Sequence, residues 1–330
     1  MLRMPPAPAS PPLKTPGPID TAPLFPGLHV ELMALLRGLS PDDWTRPTVA
    51  PAWRVRDVAS HLLDTSLRRL SMGRDGHRAP PPAEPIDSYA SLVRFINQLN
   101  ADWLQATARL SPRLLVDLLG VVQPQVAAFF ATLDPLAPAP ISVAWAGEST
   151  SANWFDVGRE YTEWWHHQAQ IRDAVGAPPL NARGWLHPFL DISVRGLPHA
   201  YREVDAPAGT TLALRITGDA GGSWCLRRES DTGPASAGPV ASSQIATDAG
   251  RTAGSTADAD GSPTQRGGAS RWTLLEGEAP EADARVELEA DAAWRLLFNA
   301  LPAGAAQRQL RVEGDAGLAA PLLQARSVMV

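Results

Sequence analysis

Cysteine and lysine are almost missing from this sequence: Cys225 is the single cysteine and Lys14 the single lysine among 330 residues. One cysteine excludes a disulfide within the chain and a cysteine-rich zinc site. Cys225 sits in the strand-like stretch S-W-C-L-R, where a lone cysteine is more often a small buried hydrophobe than a nucleophile. Net positive charge is lacking as well. The formal charge is -6 at pH 7, which leaves no electrostatic footprint for nucleic acid. No basic-then-apolar run marks a signal peptide. The most apolar stretch, residues 114–133, is interrupted by Asp117, Gln123, Pro124 and Gln125, which argues against a membrane span. A cytoplasmic protein without nucleic-acid or membrane partners is expected. The near-exclusive use of arginine as the basic residue, with 32 prolines and abundant alanine, reads as a habit of the source genome and not as a function.

The length allows two domains with sizeable cores. Residues 1–23 are proline-rich and are expected to be disordered or loosely packed. A first amphipathic helix is read from Leu24 to Leu39, then a short turn started by Ser40 and Pro41 that carries Trp44. A second helix runs from about Arg54 to Leu70 and a third from about Asp87 to Leu110. Ser111 and Pro112 start a further helix with a kink near Gly120 or Pro124. Leu92, Phe95, Ile96, Leu99, Trp103 and Leu104 recur at helical spacing in the third. With the helix around residues 159–173, this gives four main helices plus extra turns over 24–180, a bundle with a polar site between facing helices. The second half, 181–330, reads as a small α+β domain with an antiparallel sheet: alternation at Leu212, Leu214 and Ile216 marks a strand, and Gly221–Gly222 a hairpin. Residues 230–270 are a low-complexity insertion, expected to form a mobile loop at a hairpin end.

The stretch R-E-Y-T-E-W-W-H-H-Q-A-Q-I-R-D, residues 159–173, holds the clearest chemistry. Gly176 and Pro178 stop it. Glu163 and His167 are four apart and so share one helix face. A carboxylate and an imidazole converging on one point begin a divalent-metal site. A solvated salt-linked face is the simpler reading of the pair alone. Against it stand Trp164, Trp165 and Ile171, which make the helix apolar and buried, so that its polar groups need partners. In the second helix His61 falls between Val58 and Leu62 in angle and faces inward. Taken alone, such a histidine is usually a satisfied core residue. His166 lies about 100° round from its neighbour and reads as structural or surface.

W-x-x-P-T-x-x-x-x-W-x-V-x-D-V-x-x-H, from Trp44 to His61, and E-x-W-x-H-Q-x-Q-I-R, from Glu163 to Arg172, resemble the mycothiol-dependent maleylpyruvate isomerase family. The resemblance implies a DinB-like four-helix bundle. The phrases A-W-R-L-L-F-N-A-L and V-E-G-D-A-G-L-A resemble the sterol-carrier-like α+β domain that follows it. It also implies a divalent metal, zinc in the isomerase, held by His61, Glu163 and His167. A low-molecular-weight thiol, mycothiol or an equivalent, would be the cosubstrate and a small electrophile the substrate. In the isomerase the deprotonated thiol adds to a conjugated double bond, allows rotation and leaves; related members resemble thiol transferases. Arg54, Arg56, Arg159 and Arg172 lie near the motifs as candidates to read substrate carboxylates, though a surface position or pairing with Asp57, Glu160 or Asp173 is the commoner fate. One departure stands out. The family's C-terminal catalytic arginine has no clear counterpart in L-F-N-A-L, where Asn299 and Ala300 stand, with Arg295 or Arg311 as substitutes. The expected function is therefore a thiol-dependent isomerase or S-transferase, monomeric or homodimeric. The alternatives are a non-enzymatic metal-binding or regulatory protein, and a metal hydrolase acting through bound water.

Overall fold

From Phe25 onward, Leu28, Leu32 and Leu36 recur at helical spacing, and this stripe is the buried face of α1 (Phe25–Arg37). The structure is a computed structural model that describes residues 12–50, 52–82, 84–230, 271–302 and 304–328. α2 (Val55–Arg68) starts where the Asp57 carboxylate accepts the backbone N–H of Arg54 at 3.0 Å. It continues directly into a π-helical turn, Arg69–Arg74. Ser88 caps α3 (Tyr89–Thr107), its hydroxyl accepting from the Ser91 N–H at 3.2 Å. Ser111 and Pro112 open α4 (Pro112–Phe130) as the sequence leads one to expect. The kink does not interrupt it: α4 is one α-helix through Gly120 and Pro124. α5 (Asn153–Val175) begins six residues before the predicted stretch and ends at Gly176, whose φ of 69° is the left-handed stop.

Among the described residues the helical half has five long helices, four of which form the expected bundle. α1, α4, α2 and α5 close a ring of contacts, and α3 packs chiefly on α2 from outside it. Leu92, Phe95, Ile96, Leu99, Trp103 and Leu104 of α3 are accordingly half-buried, not core. Trp103 is fastened to α2 through its indole N–H, which donates to the Ser60 carbonyl at 2.8 Å. α4 is long and apolar enough to cross a membrane by length and composition. Its buried residues, among them Leu115, Leu119, Val126 and Phe130, belong to the bundle core.

The second half opens with α6 (Arg183–Ser193), a 3-10 turn at Val194–Gly196 and α7 (Leu197–Ala200). Five strands follow: β1 (Thr211–Thr217), β2 (Gly222–Arg228), β3 (Trp272–Glu276), β4 (Ala284–Glu289) and β5 (Arg311–Gly314), in the order β3-β2-β1-β4-β5. α8 (Ala290–Leu297), α9 (Ala306–Gln309) and α10 (Ala316–Ala319) complete an α+β arrangement. The sheet is mixed and not purely antiparallel, because β1 and β4 run parallel. The physical reason lies in residues 277–283. Their end is anchored beside the start of β1, where the Asp283 carboxylate accepts the Thr211 N–H at 2.8 Å. The chain has thus returned to the beginning of β1 before β4 starts.

The proline-rich start departs from expectation where it is described. Lys14 exchanges backbone hydrogen bonds with Glu276 on the β3 edge, at 3.1 and 2.7 Å. An edge strand presents unpaired groups that invite such an addition. Arg195 donates to the Gly17 carbonyl at 2.8 Å, and Thr21 is buried. Residues 1–11 and 231–270, including nearly all of the expected insertion, lie outside the described residues.

One apolar core runs through both halves. Trp165 on α5 has its ring 4.4 Å from Phe189 of α6 and 5.6 Å from Trp294 of α8. Arg295 on α8 reaches Asp173 at the end of α5 at 2.5 Å. The second half is thereby held against the helix that carries Glu163 and His167.

Candidate metal centre

His61 comes from the middle of α2, Glu163 and His167 from the middle of α5. The two helices pack directly on each other. One donor atom from each of the three residues lies within 4.8 Å of the other two. Both histidines are buried, and Glu163 is half-buried. The His61 and His167 rings meet edge to face, with centroids 4.7 Å apart. Trp53 walls the cluster, 4.8 Å from the His61 ring and 5.9 Å from the His167 ring.

The hydrogen bonds fix what these groups can do. His167 Nδ1 lies 2.9 Å from the Gln170 side-chain oxygen. An oxygen there can only accept, so Nδ1 carries the proton and Nε2 is left facing Glu163 Oε2 at 3.3 Å. A lone pair aimed at a carboxylate is repulsive unless a proton or a metal cation sits between them. On the opposite helix, the buried Nδ1 of His61 has no hydrogen-bond partner among the described residues. Such an orphaned nitrogen costs about 1–3 kcal/mol. Burial above all, then the neighbouring His167, holds His61 well below its ordinary pKa, so it is neutral and able to ligate. Burial works against ionisation of Glu163, but the adjacent His166, His167 and His61 hold it well below the carboxylate range. One anion and two imidazoles therefore present an N/O donor set suited to a divalent cation such as zinc, and the residues fit one.

His166 is buried and structural, not at the surface. Its Nδ1 donates to the Thr162 carbonyl at 2.8 Å, and its ring lies 4.7 Å from Phe298. Phe298 belongs to L-F-N-A-L, so the second half does reach the back of the site, through an aromatic ring. Asn299 next to it has a φ of 54°, a left-handed conformation that asparagine tolerates. Arg295 is engaged by Asp173 and Asp291, and Arg311 lies on edge strand β5 beside Glu313. Neither contacts the cluster. The arginines near the motifs are mostly paired as the simpler reading expects. Arg56 donates to the Leu110 carbonyl just beyond α3 and approaches Asp57. Arg172 binds Glu31 and not Asp173, Arg159 binds Asp156 and Glu160, and Arg54 is exposed.

Sequence reasoning missed Trp53, Gln170 and Phe298. Gln170 was legible as the residue three on from His167, on a neighbouring face. Trp53 lay inside the quoted motif without a role. Phe298, 131 residues beyond His167 by numbering, carried no such signal.

No curated protein sequence matches this chain. Two solved structures described as the mycothiol-dependent maleylpyruvate isomerase, one of them a mutant, are similar over 89% of this chain and 92% of theirs. Their sequence identity is 10%, with TM-scores of 0.48 and 0.46. Residues 25–172, which contain all three converging donors, match the family model described as mycothiol maleylpyruvate isomerase N-terminal domain.

Proposed function

We propose that this protein is a metal-dependent enzyme that uses a low-molecular-weight thiol, mycothiol or an equivalent, on a small electrophile, by cis–trans isomerisation or by thiol transfer. The observation that carries this reading is the meeting of His61, Glu163 and His167, donors within 4.8 Å of one another on two packed helices. A divalent cation held by them, zinc by its donor set, would supply Lewis acidity at an open coordination position and so lower the pKa of a thiol placed there.

The chain's own residues do the rest. His61 and His167 would each offer a ring nitrogen to the cation, and Glu163 would supply one negative charge. Gln170 holds His167 in the Nδ1–H form that leaves Nε2 available. Trp53 and, behind His166, Phe298 keep water from the flanks. Cys225 cannot be the nucleophile: it is buried on β2, and burial pushes its thiol up to about 11. The reactive thiol must then arrive as a cosubstrate. We assign residues 24–180 to the bundle that carries the site and 181–330 to a sterol-carrier-like domain, a division that follows the change from helices to sheet.

Elemental analysis of wild type and His167→Ala side by side tests the reading, followed by turnover of a conjugated cis-enoate with and without added thiol. Near-stoichiometric metal in wild type alone, with thiol-dependent turnover, is expected. Equal, low metal in both would leave the proposal without a basis. Turnover that ignores thiol would move it to hydrolysis by activated water, and no turnover beside a co-purifying macromolecule to a binding role.

A further inference from the structure

Eight residues beyond His61, at the head of the π-helical turn that continues α2, Arg69 packs against α5. Its Nη1 and Nη2 grip Asp156 at 2.7 and 2.9 Å, and Nη2 also reaches Glu160 at 2.8 Å. Arg159 closes the group, its Nη2 donating to Asp156 at 2.9 Å and to Glu160 at 2.8 Å. Arg69, Asp156 and Glu160 are buried, and the group of four is formally neutral. A buried ionic cluster of this kind is often no more stabilising than apolar side chains of the same volume. This one is not even fully satisfied, since Glu160 Oε2 is buried without a partner among the described residues. Its retention calls for a reason other than stability.

The spacing supplies one. His61 and Thr65 stand four apart on α2, and Arg69 follows four further on at the head of the π-helical turn. Asp156, Glu160, Glu163 and His167 follow one another along one stripe of α5. The helices meet so that Arg69 lies opposite Asp156 and Glu160 while His61 lies opposite Glu163 and His167. An apolar seam lets two helices slide by a fraction of the roughly 1.5 Å rise per residue at little cost. Metal–ligand distances tolerate only about 0.2 Å. A bidentate guanidinium–carboxylate fork is planar and does not tolerate sliding.

We propose that Arg69, with Asp156 and Glu160, is a register clamp: it fixes where α2 lies along α5, and hence whether His61 meets the two donors of α5. Arg69 is thus a positioning residue. Its consequence for metal binding rests on the function proposed above.

The full-length protein is titrated with Co(II), with zinc affinity read by chelator competition, for wild type, Arg69→Met, Arg69→Lys and Asp156→Asn. Arg69→Met should weaken metal binding about 10–100-fold, the range for loss of a group that orients ligands. Its Co(II) d–d spectrum should shift away from that of wild type. Arg69→Lys, which keeps the charge but not the fork, should fall between. A lowered melting temperature with wild-type affinity and spectrum in Arg69→Met would overturn the proposal. If Arg69→Met does not fold, Arg69→Lys and Asp156→Asn decide by the same two readouts. If wild type itself binds no metal, the metal reading fails and crystal structures judge the clamp. A shift of α2 along α5 by about 0.5 Å or more in Arg69→Met would support it, that being the tolerance of a preorganised site. An unchanged register would overturn it.

Discussion

Replacing His61 by leucine separates a metal ligand from a structural core histidine by the sign of its effect under two conditions. Leucine has about the same volume, so cavity and overpacking effects are small. In the metal-free protein the substitution removes the orphaned Nδ1, a gain of about 1–3 kcal/mol. It also removes the ring contacts with Trp53 at 4.8 Å and His167 at 4.7 Å. Each aromatic contact contributes about 0.5–1.5 kcal/mol, so the two effects nearly cancel. In EDTA, His61→Leu should therefore unfold within about 1 kcal/mol of wild type, since the removed and restored terms are of equal size. With zinc at about 1,000 times its dissociation constant, wild type gains about 4 kcal/mol by mass action, while the variant, short of a donor, gains little. Urea unfolding with and without metal measures both differences, provided the slopes agree. A difference between the two proteins that is the same with zinc as with EDTA would refute the reasoning, whatever its size.

Three further outcomes follow from the same structure. In the metal-free protein both His61 and His166 titrate below the ordinary histidine value, through burial first and then through His167, with His166 pushed down to about 3. Below pH 6.5 the unfolded chain takes up protons that the native state refuses, so stability present above that pH is lost as pH falls toward the folded values. Urea midpoints in EDTA should decline from about pH 7 downward by up to about 1.4 kcal/mol per unit per histidine, and a flat profile would contradict the burial of both rings. Cys225 should resist iodoacetamide in the native protein and react in denaturant; mass spectrometry of the alkylated chain reads this, and rapid native labelling would show the thiol to be accessible. Gly176→Ala should cost about 1 kcal/mol, because alanine is strained at the left-handed stop of α5. Calorimetry with no change in melting temperature would count against that geometry.

The helices were legible because their chemistry is local. Ser111 and Gly176 act on backbone groups within a few residues, and of the helical-period apolar pattern Val30, Leu32, Met33, Leu35 and Leu36 in the first helix, Leu32, Met33 and Leu36 are core while Val30 is exposed. The stripe of α3 obeys the same period, yet lies half-buried outside the ring of four, since periodicity states which face is apolar and not what covers it. The parallel pairing of β1 with β4 was hidden for a like reason: alternation marks a strand, while its direction depends on where Asp283 anchors the chain. Lys14 on the β3 edge is a partner chosen across 262 positions, Lys14 to Glu276, and proline-rich composition says nothing of it.

The sequence by itself placed Glu163 and His167 on one helix face, turned His61 inward and denied the chain a usable thiol of its own. Those are consequences of helical spacing and composition. Only the tertiary structure decided that His61 stands opposite the other two, that Gln170 leaves His167 Nε2 bare, and that Arg69 locks α2 to α5 through Asp156 and Glu160. Donors 102 and 106 residues apart, His61 with Glu163 and with His167, have no shared period to report their meeting; it is the packing of two buried helices that sets their distance.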